Sequence, residues 1–351
     1  MVTARPLAEV YRRFAEDAAG TSPLTAAVAR ALGGSVALEL LPPRRRQPAL
    51  VLAALHDLAL AGRAPALAAA YTAGDGDAAA RAALDTLAGL TGEVAALVAR
   101  RRLVTVEAQR CAVLVPAVAE AARRAGAAAV GLVAVGSPAG FDLHLDRVAV
   151  TSAGRIAGDP SSPVQVSVSV VGRMPVPVRP VPEVVARIGV DREPLDPTDP
   201  DDARWLRACV PPDRPGRRAE LDAELALGAG APVLLLRGDP VTLLADAVAR
   251  VPAGALPVVT TTWALSTWPA ARRVRLLDRL AQAAAGRAVS WVSVEGVGVA
   301  PGVPTLGDRP ASGHSIVGLV ELDGAGRRAE ALGRCWSRGR QLSWLAVEPP
   351  G

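Results

Sequence analysis

The stretch Leu132-Val-Ala-Val-Gly-Ser-Pro-Ala-Gly-Phe141 decides how this chain reads. A short apolar run that opens straight into a turn bracketed by Gly136 and Gly140 is how a buried parallel strand presents a ligand to the segment after it. Glycine at 136 lets the chain turn tightly off the strand. Glycine at 140 lets a following helix pack close to the sheet and bring its N-terminus forward. The GxxxG spacing taken alone equally fits an ordinary strand-to-turn junction in a chain with 33 glycines.

Four more apolar runs follow, each ending at a polar residue. Residues 184–190 run into Asp191, and 232–236 pass through Arg237 and Gly238 into Asp239. Residues 256–259 lead into Thr260, Thr261, Thr262 and Trp263, while 289–294 stop at Glu295. Helix-length segments at 242–250 and 270–285 separate the last three, which predicts a parallel sheet covered on both faces. Residues 314–322 and 334–347, joined by Asp323-Gly-Ala-Gly326 and a short helical stretch, predict an antiparallel closing pair. Between the first two strands, the strict alternation of 164–170 predicts a half-exposed strand, forming a hairpin with 148–156. Pro175, Pro177, Pro180 and Pro182 then force an extended return.

Upstream, residues 4–126 read as helical, with amphipathic stretches at 7–18, 24–31, 48–61, 78–87, 93–100 and 106–125. The expected organisation is a helical cap domain over 1–126. An α/β domain with a β insertion at about 147–182 follows over 127–351.

This pattern, spread over residues 127–348, resembles the Rossmann-like sheet of the class I S-adenosylmethionine-dependent methyltransferases: five parallel strands plus an antiparallel closing pair. The resemblance implies S-adenosylmethionine as cofactor, with Gly136, Ser137 and Gly140 facing its methionine part. It implies that Asp191 accepts from the ribose hydroxyls, that Asp239 meets the adenine amino group, and that Trp263 helps enclose the site. Carboxylates suit both tasks because they only accept hydrogen bonds. Each aspartate also suits a helix N-cap or a solvated loop.

At whole-chain level the sequence is similar to a bacterial family known only as domain of unknown function 2332. The landmarks are Ser22-Pro-Leu24, Glu107-Ala-Gln-Arg-Cys111, Gly136-Ser-Pro-Ala-Gly-Phe-Asp-Leu143, Gly189-Val-Asp191, Trp205-Leu-Arg-Ala-Cys209, Gly238-Asp239, Thr262-Trp263 and Glu295-Gly296. Three positions depart from it. Ala134 stands where an acidic residue is expected, Val106 where an asparagine is, and Thr261 where a histidine is. Pro138 also removes one N–H from the glycine turn. Two readings follow: a methyltransferase-like protein of unknown acceptor, or a catalytically silent binding or scaffold protein on the same fold.

Candidate catalytic groups are few. His144 lies just beyond the glycine turn between Asp142 and Asp146, where it would serve as a base, while both carboxylates also suit a helix start. Glu107 and Arg110 are three residues apart on one helix face, either projecting into a pocket or pairing with each other. His56 reads as a core histidine and His314 as part of the closing pair. Serine stands second in Gly136-Ser-Pro-Ala-Gly140, so this is not a hydrolase elbow, and without lysine no phosphate-binding P-loop is possible.

Lysine and asparagine are absent, so all 39 basic side chains are arginine, against 34 acidic ones. The isoelectric point near 10.0 overstates basicity, since almost nothing else can titrate on the way up. With a net charge of +5 and 3% aromatic residues, a small-molecule ligand is expected rather than a nucleic acid. Cys111, Cys209 and Cys335 are odd in number and far apart, which points to reduced thiols and no metal cluster. No charge-headed apolar leader and no run of about 18 apolar residues is found, so the expectation is a cytoplasmic protein without a membrane span.

Overall fold

The computed structural model describes residues 5–105 and 107–346. Its α-helices are α1 (Leu7–Ala19), α2 (Pro23–Leu32), α3 (Pro48–Leu60), α4 (Pro65–Ala73), α5 (Gly76–Gly89), α6 (Thr91–Arg100), α7 (Cys111–Arg124), α8 (Pro200–Ala208), α9 (Pro215–Ala229), α10 (Pro240–Ala249) and α11 (Ala270–Ala283). Its strands are β1 (Ala129–Val135), β2 (Ala149–Ser152), β3 (Arg155–Ala157), β4 (Gln165–Val170), β5 (Glu183–Asp191), β6 (Leu234–Arg237), β7 (Leu256–Thr262), β8 (Val289–Gly296), β9 (Ser315–Asp323), β10 (Gly326–Trp336) and β11 (Gln341–Trp344). The chain divides into two compact units: Met1–Val106 with Pro197–Asp222, and Glu107–Asp196 with Ala223–Gly351.

The first unit is helical. Proline at the first helical position starts α2, α3 and α4, where the missing N–H costs nothing, and the Asp75 carboxylate caps α5 through the Asp77 and Ala78 amides. Helix α3 is buried on nearly every side, so its two polar residues need partners. His56 Nδ1 lies 3.2 Å from the Ala208 carbonyl, and Asp57 accepts from Arg204 Nε at 3.1 Å. Burial lowers the His56 pKa to about 4, so it sits in this core as a neutral ring.

The second unit is built on one mixed sheet in the order β3-β2-β4-β11-β10-β9-β8-β7-β1-β5-β6. Five neighbouring strands, β6-β5-β1-β7-β8, are mutually parallel, as the five apolar runs predict. The antiparallel β9 and β10 follow β8. One face, formed by Val130, Leu132, Val258 and Val292, packs with α7, in which every residue from Cys111 to Ala122 is buried. The other face, formed by Val133, Val190, Val259 and Trp291, packs under α10 and α11.

The structure corrects the sequence reading at four places. The sheet has eleven strands instead of seven, because the insertion joins it: β4 pairs in parallel with both β2 and β11. The hairpin of the insertion is β2 with β3, closed by Ala153 and Gly154, both at positive φ; β4 is not its partner arm. No α-helix follows Gly140. Phe141–Leu143 and Leu145–Arg147 are single 3-10 turns, broken at His144, whose φ of −106° and ψ of 32° lie outside the helical region. Finally, residues 327–333 belong to β10, where a helical stretch was expected. Asp323 accepts from the Ala325 and Gly326 amides and turns the chain back within two residues. Helix α7 lies on the sheet and falls in the same compact unit.

Close packing behind β1 yields a prediction. A Cβ built on Gly131 would lie 3.0 Å from Val251 Cβ and closer still to both its methyl groups. Gly131→Ala is expected to destabilise the protein by about 1–3 kcal/mol in urea unfolding, and Val251→Ala in the same chain to recover part of that loss.

Candidate functional site

The strand registers bring the sequence-predicted residues to one rim. Val135 is level with Val190 on one side and Thr261 on the other, Asp191 with Arg237, and Thr262 with Val294. The carboxyl ends of β6, β5, β1, β7 and β8 therefore share an edge carrying Gly136, Asp191, Asp239, Trp263 and Glu295. Chain order reverses between β1 and β7, the switch point at which open α/β sheets hold ligands.

At that switch point the protein's own loops meet. Gly136, at φ +75°, donates to the Val190 carbonyl at 3.0 Å, and a Cβ on it would stand 2.7 Å from Ala264 Cβ. Trp263 is held at φ +52°, unusual for a bulky residue, with its amide on the Val294 carbonyl and its indole N–H on Ser315 Oγ at 2.9 Å. Glu295 fixes the next two residues: its Oε1 accepts from the Ala264 and Leu265 amides at 3.0 and 3.1 Å. The carboxyl is 1% exposed, and Oε2 has no hydrogen-bond partner. Burial pushes its pKa up to about 7, although both amides, Arg273 and the Thr261 hydroxyl favour the charged form. Thr261, standing where the family pattern has histidine, accepts from Trp291 Nε1 at 3.1 Å and is a core residue. Thr260 and Thr262, on the α7 face, have buried hydroxyls without partners.

On the β5 side, the Ser137 hydroxyl donates to Asp142, and both side chains are buried. The Arg110 guanidinium lies 3.9 Å from Asp142, which joins the start of α7 to the glycine turn. Asp191 is 4% exposed and accepts from the Glu193 amide at 2.8 Å. Gly140, at φ +65°, opens the first 3-10 turn and presents no helix N-terminus to the rim. Asp239 caps α10 through the Val241 and Thr242 amides, while its Oδ2 pairs with Arg192 at 3.0 Å and Arg272 at 2.8 Å.

The catalytic candidates separate. Arg110 goes to Asp142, and Glu107, lying ahead of α7 and off its face, is 3.9 Å from Arg338. His144 is 1% exposed with no partner at Nδ1, and burial together with Arg187 lowers its pKa to about 4. It is neutral at pH 7, and its Nε2 lies toward Gly228. Asp146 forms a two-point pair with Arg187 at 2.7 and 2.6 Å. Ala134 is a fully buried strand residue, and Val106 lies outside the described residues. Sequence reasoning noted Glu295 as a strand end and, with Gly296, as a family landmark, but gave it no role in the site. The available signal was a carboxylate closing an otherwise apolar and hydroxylated run, Val289-Ser-Trp-Val-Ser-Val294.

Glu295 makes stability depend on pH. Its folded pKa of about 7 lies above the ordinary 4.5, so its contribution is complete below about 4.5 and is lost as pH rises through 7. Glu295→Gln is expected to flatten the fall in unfolding free energy between pH 5 and 8 by roughly 1–3 kcal/mol, read from urea melts across that range.

No curated protein and no solved structure matches the chain. No single helix among the described residues is long and apolar enough to cross a membrane. The family described as an uncharacterized protein conserved in bacteria, DUF2332, matches residues 8–344. The match spans nearly the full length, so the chain belongs to that family.

Proposed function

We propose that the chain binds a nucleoside-bearing small molecule at the carboxyl rim of β1 and β5, as a methyltransferase-like protein with S-adenosylmethionine as the candidate ligand and an unknown acceptor. The observation that carries this reading is Asp191, a buried carboxylate at the end of the strand beside β1, one strand from the Gly136 turn. An acceptor there suits two vicinal hydroxyls, and Gly136 keeps the first turn free of a side chain.

The fit to S-adenosylmethionine is partial. Asp191 suits the ribose side, and the Gly136 turn would face the methionine part. Asp239 does not suit the adenine side, because a helix cap and two arginines already occupy its oxygens. Ala264 also fills the space in front of Gly136. These two observations favour a second reading on the same rim: ligand binding without methyl transfer.

Calorimetry with S-adenosylmethionine and with its demethylated product tests the proposal. Binding to the wild type is expected to weaken about 10- to 100-fold in Asp191→Ala, the cost of one or two hydrogen bonds to a charged group. Asp239→Ala is expected to cost about 1 kcal/mol of stability through loss of the α10 cap, with affinity unchanged. Binding with no consumption of the methyl donor against any acceptor selects the second reading. Absence of heat with both compounds on the wild type ends the proposal.

A further inference from the structure

Residues of the first unit alone enclose an open groove of about 440 Å³, lined by Leu60, Pro200, Arg204, Arg207, Arg218 and Asp222. The volume falls in the range of small-molecule sites. Its wall carries three guanidinium groups and one carboxylate.

The hydrogen bonds are unevenly shared. Asp222 divides its two oxygens between two arginines, Oδ1 to Arg207 Nε at 2.7 Å and Oδ2 to Arg218 Nε at 3.0 Å. Among the described residues the side-chain hydrogen bonds of both arginines run through Nε, which leaves their terminal NH2 groups with donors to offer. Their side chains are 32% and 34% exposed, open enough to be reached and covered enough to be held in place. Arg204 is anchored from behind, Nε to Asp57 and one terminal nitrogen to Asp201 at 2.8 Å. Asp57 is buried, so this anchor faces away from solvent.

We infer that this groove is a binding site for a small phosphate monoester, with Arg207 and Arg218 as the phosphate clamp and Leu60 and Pro200 as the wall for the organic part. A phosphate monoester carries two charges and three terminal oxygens for the remaining donors of both forks, where a planar carboxylate such as Asp222 offers one charge and two oxygens. Asp222 is the internal counter-ion that keeps the two forks parallel when no ligand is bound. It also competes with the ligand's charge, and this gives the site a signature.

The test is titration calorimetry at constant ionic strength with phenyl phosphate, inorganic phosphate and acetate as probes. Phenyl phosphate is expected to saturate in the millimolar range or below, inorganic phosphate to bind several-fold more weakly, and acetate not to saturate. Arg207→Gln and Arg218→Gln are each expected to reduce phenyl phosphate affinity about tenfold or more. Asp222→Asn is expected to raise it several-fold, an increase that a merely structural ion pair does not produce. Equal binding of acetate, absence of saturation by phenyl phosphate, or an Asp222→Asn affinity equal to or below wild type overturns the assignment.

Discussion

One buried carboxyl group ties the functional edge together. Glu295 ends β8 and takes two amides from the loop after β7, and that loop sets Ala264 against the Gly136 turn at the end of β1. Three consecutive strands of the sheet are thereby fixed at their carboxyl ends by one side chain that contacts almost no solvent. An acceptor in that position is costly unless its bonds are made, and one of its two oxygens has no partner. The raised pKa is the physical answer, since a protonated carboxyl loses less on burial than a charged one. Trp263 at positive φ persists because the bonds on both sides of it leave no relaxed alternative.

The parallel core was legible in the sequence because five apolar runs each end in a turn or polar residue and the intervening lengths suit helices. Of the closing pair, the first arm was legible, but the second was read as 334–347, where the structure has the end of β10, a 3-10 turn and β11, and the strand that pairs with β9 begins at Gly326. Three features misled the reading. Phe141 to Arg147 looks like a helix start because Asp142 and Asp146 bracket it, yet the backbone breaks at His144 into two 3-10 turns. The alanine and arginine content of 327–333 suggests a helix, but antiparallel pairing with β9 fixes the backbone. The pairing of β4 with β11 links residues about 170 apart in the chain, and no local pattern reports it.

Site reading had the same strengths and gaps. Placement of Asp191, Asp239 and Gly136 on one rim follows from strand ends alone. What each carboxylate does follows from its neighbours: Arg272 for Asp239 and Arg110 for the Ser137–Asp142 pair, both distant in sequence, and the local Glu193 turn for Asp191. In a chain whose 39 basic side chains are all arginine, almost any carboxylate finds a forked donor within reach. Pairing is therefore common here, and an arginine with donors left over, as in the groove of the first unit, carries more information than a paired one.

The parallel contact between β4 and β11 bears on synthesis of the chain. Strand β4 emerges from the ribosome long before β11, its neighbour toward the sheet centre. Until residues 341 and 342 arrive, β4 has β2 on one side and an open edge on the other, and its alternating valines are suited to pairing with another copy of themselves. The exposed serines and glutamine between those valines act as gatekeepers for that interval, so the pattern Gln-Val-Ser-Val-Ser-Val is read twice: first by the nascent chain in water, and later by the completed sheet.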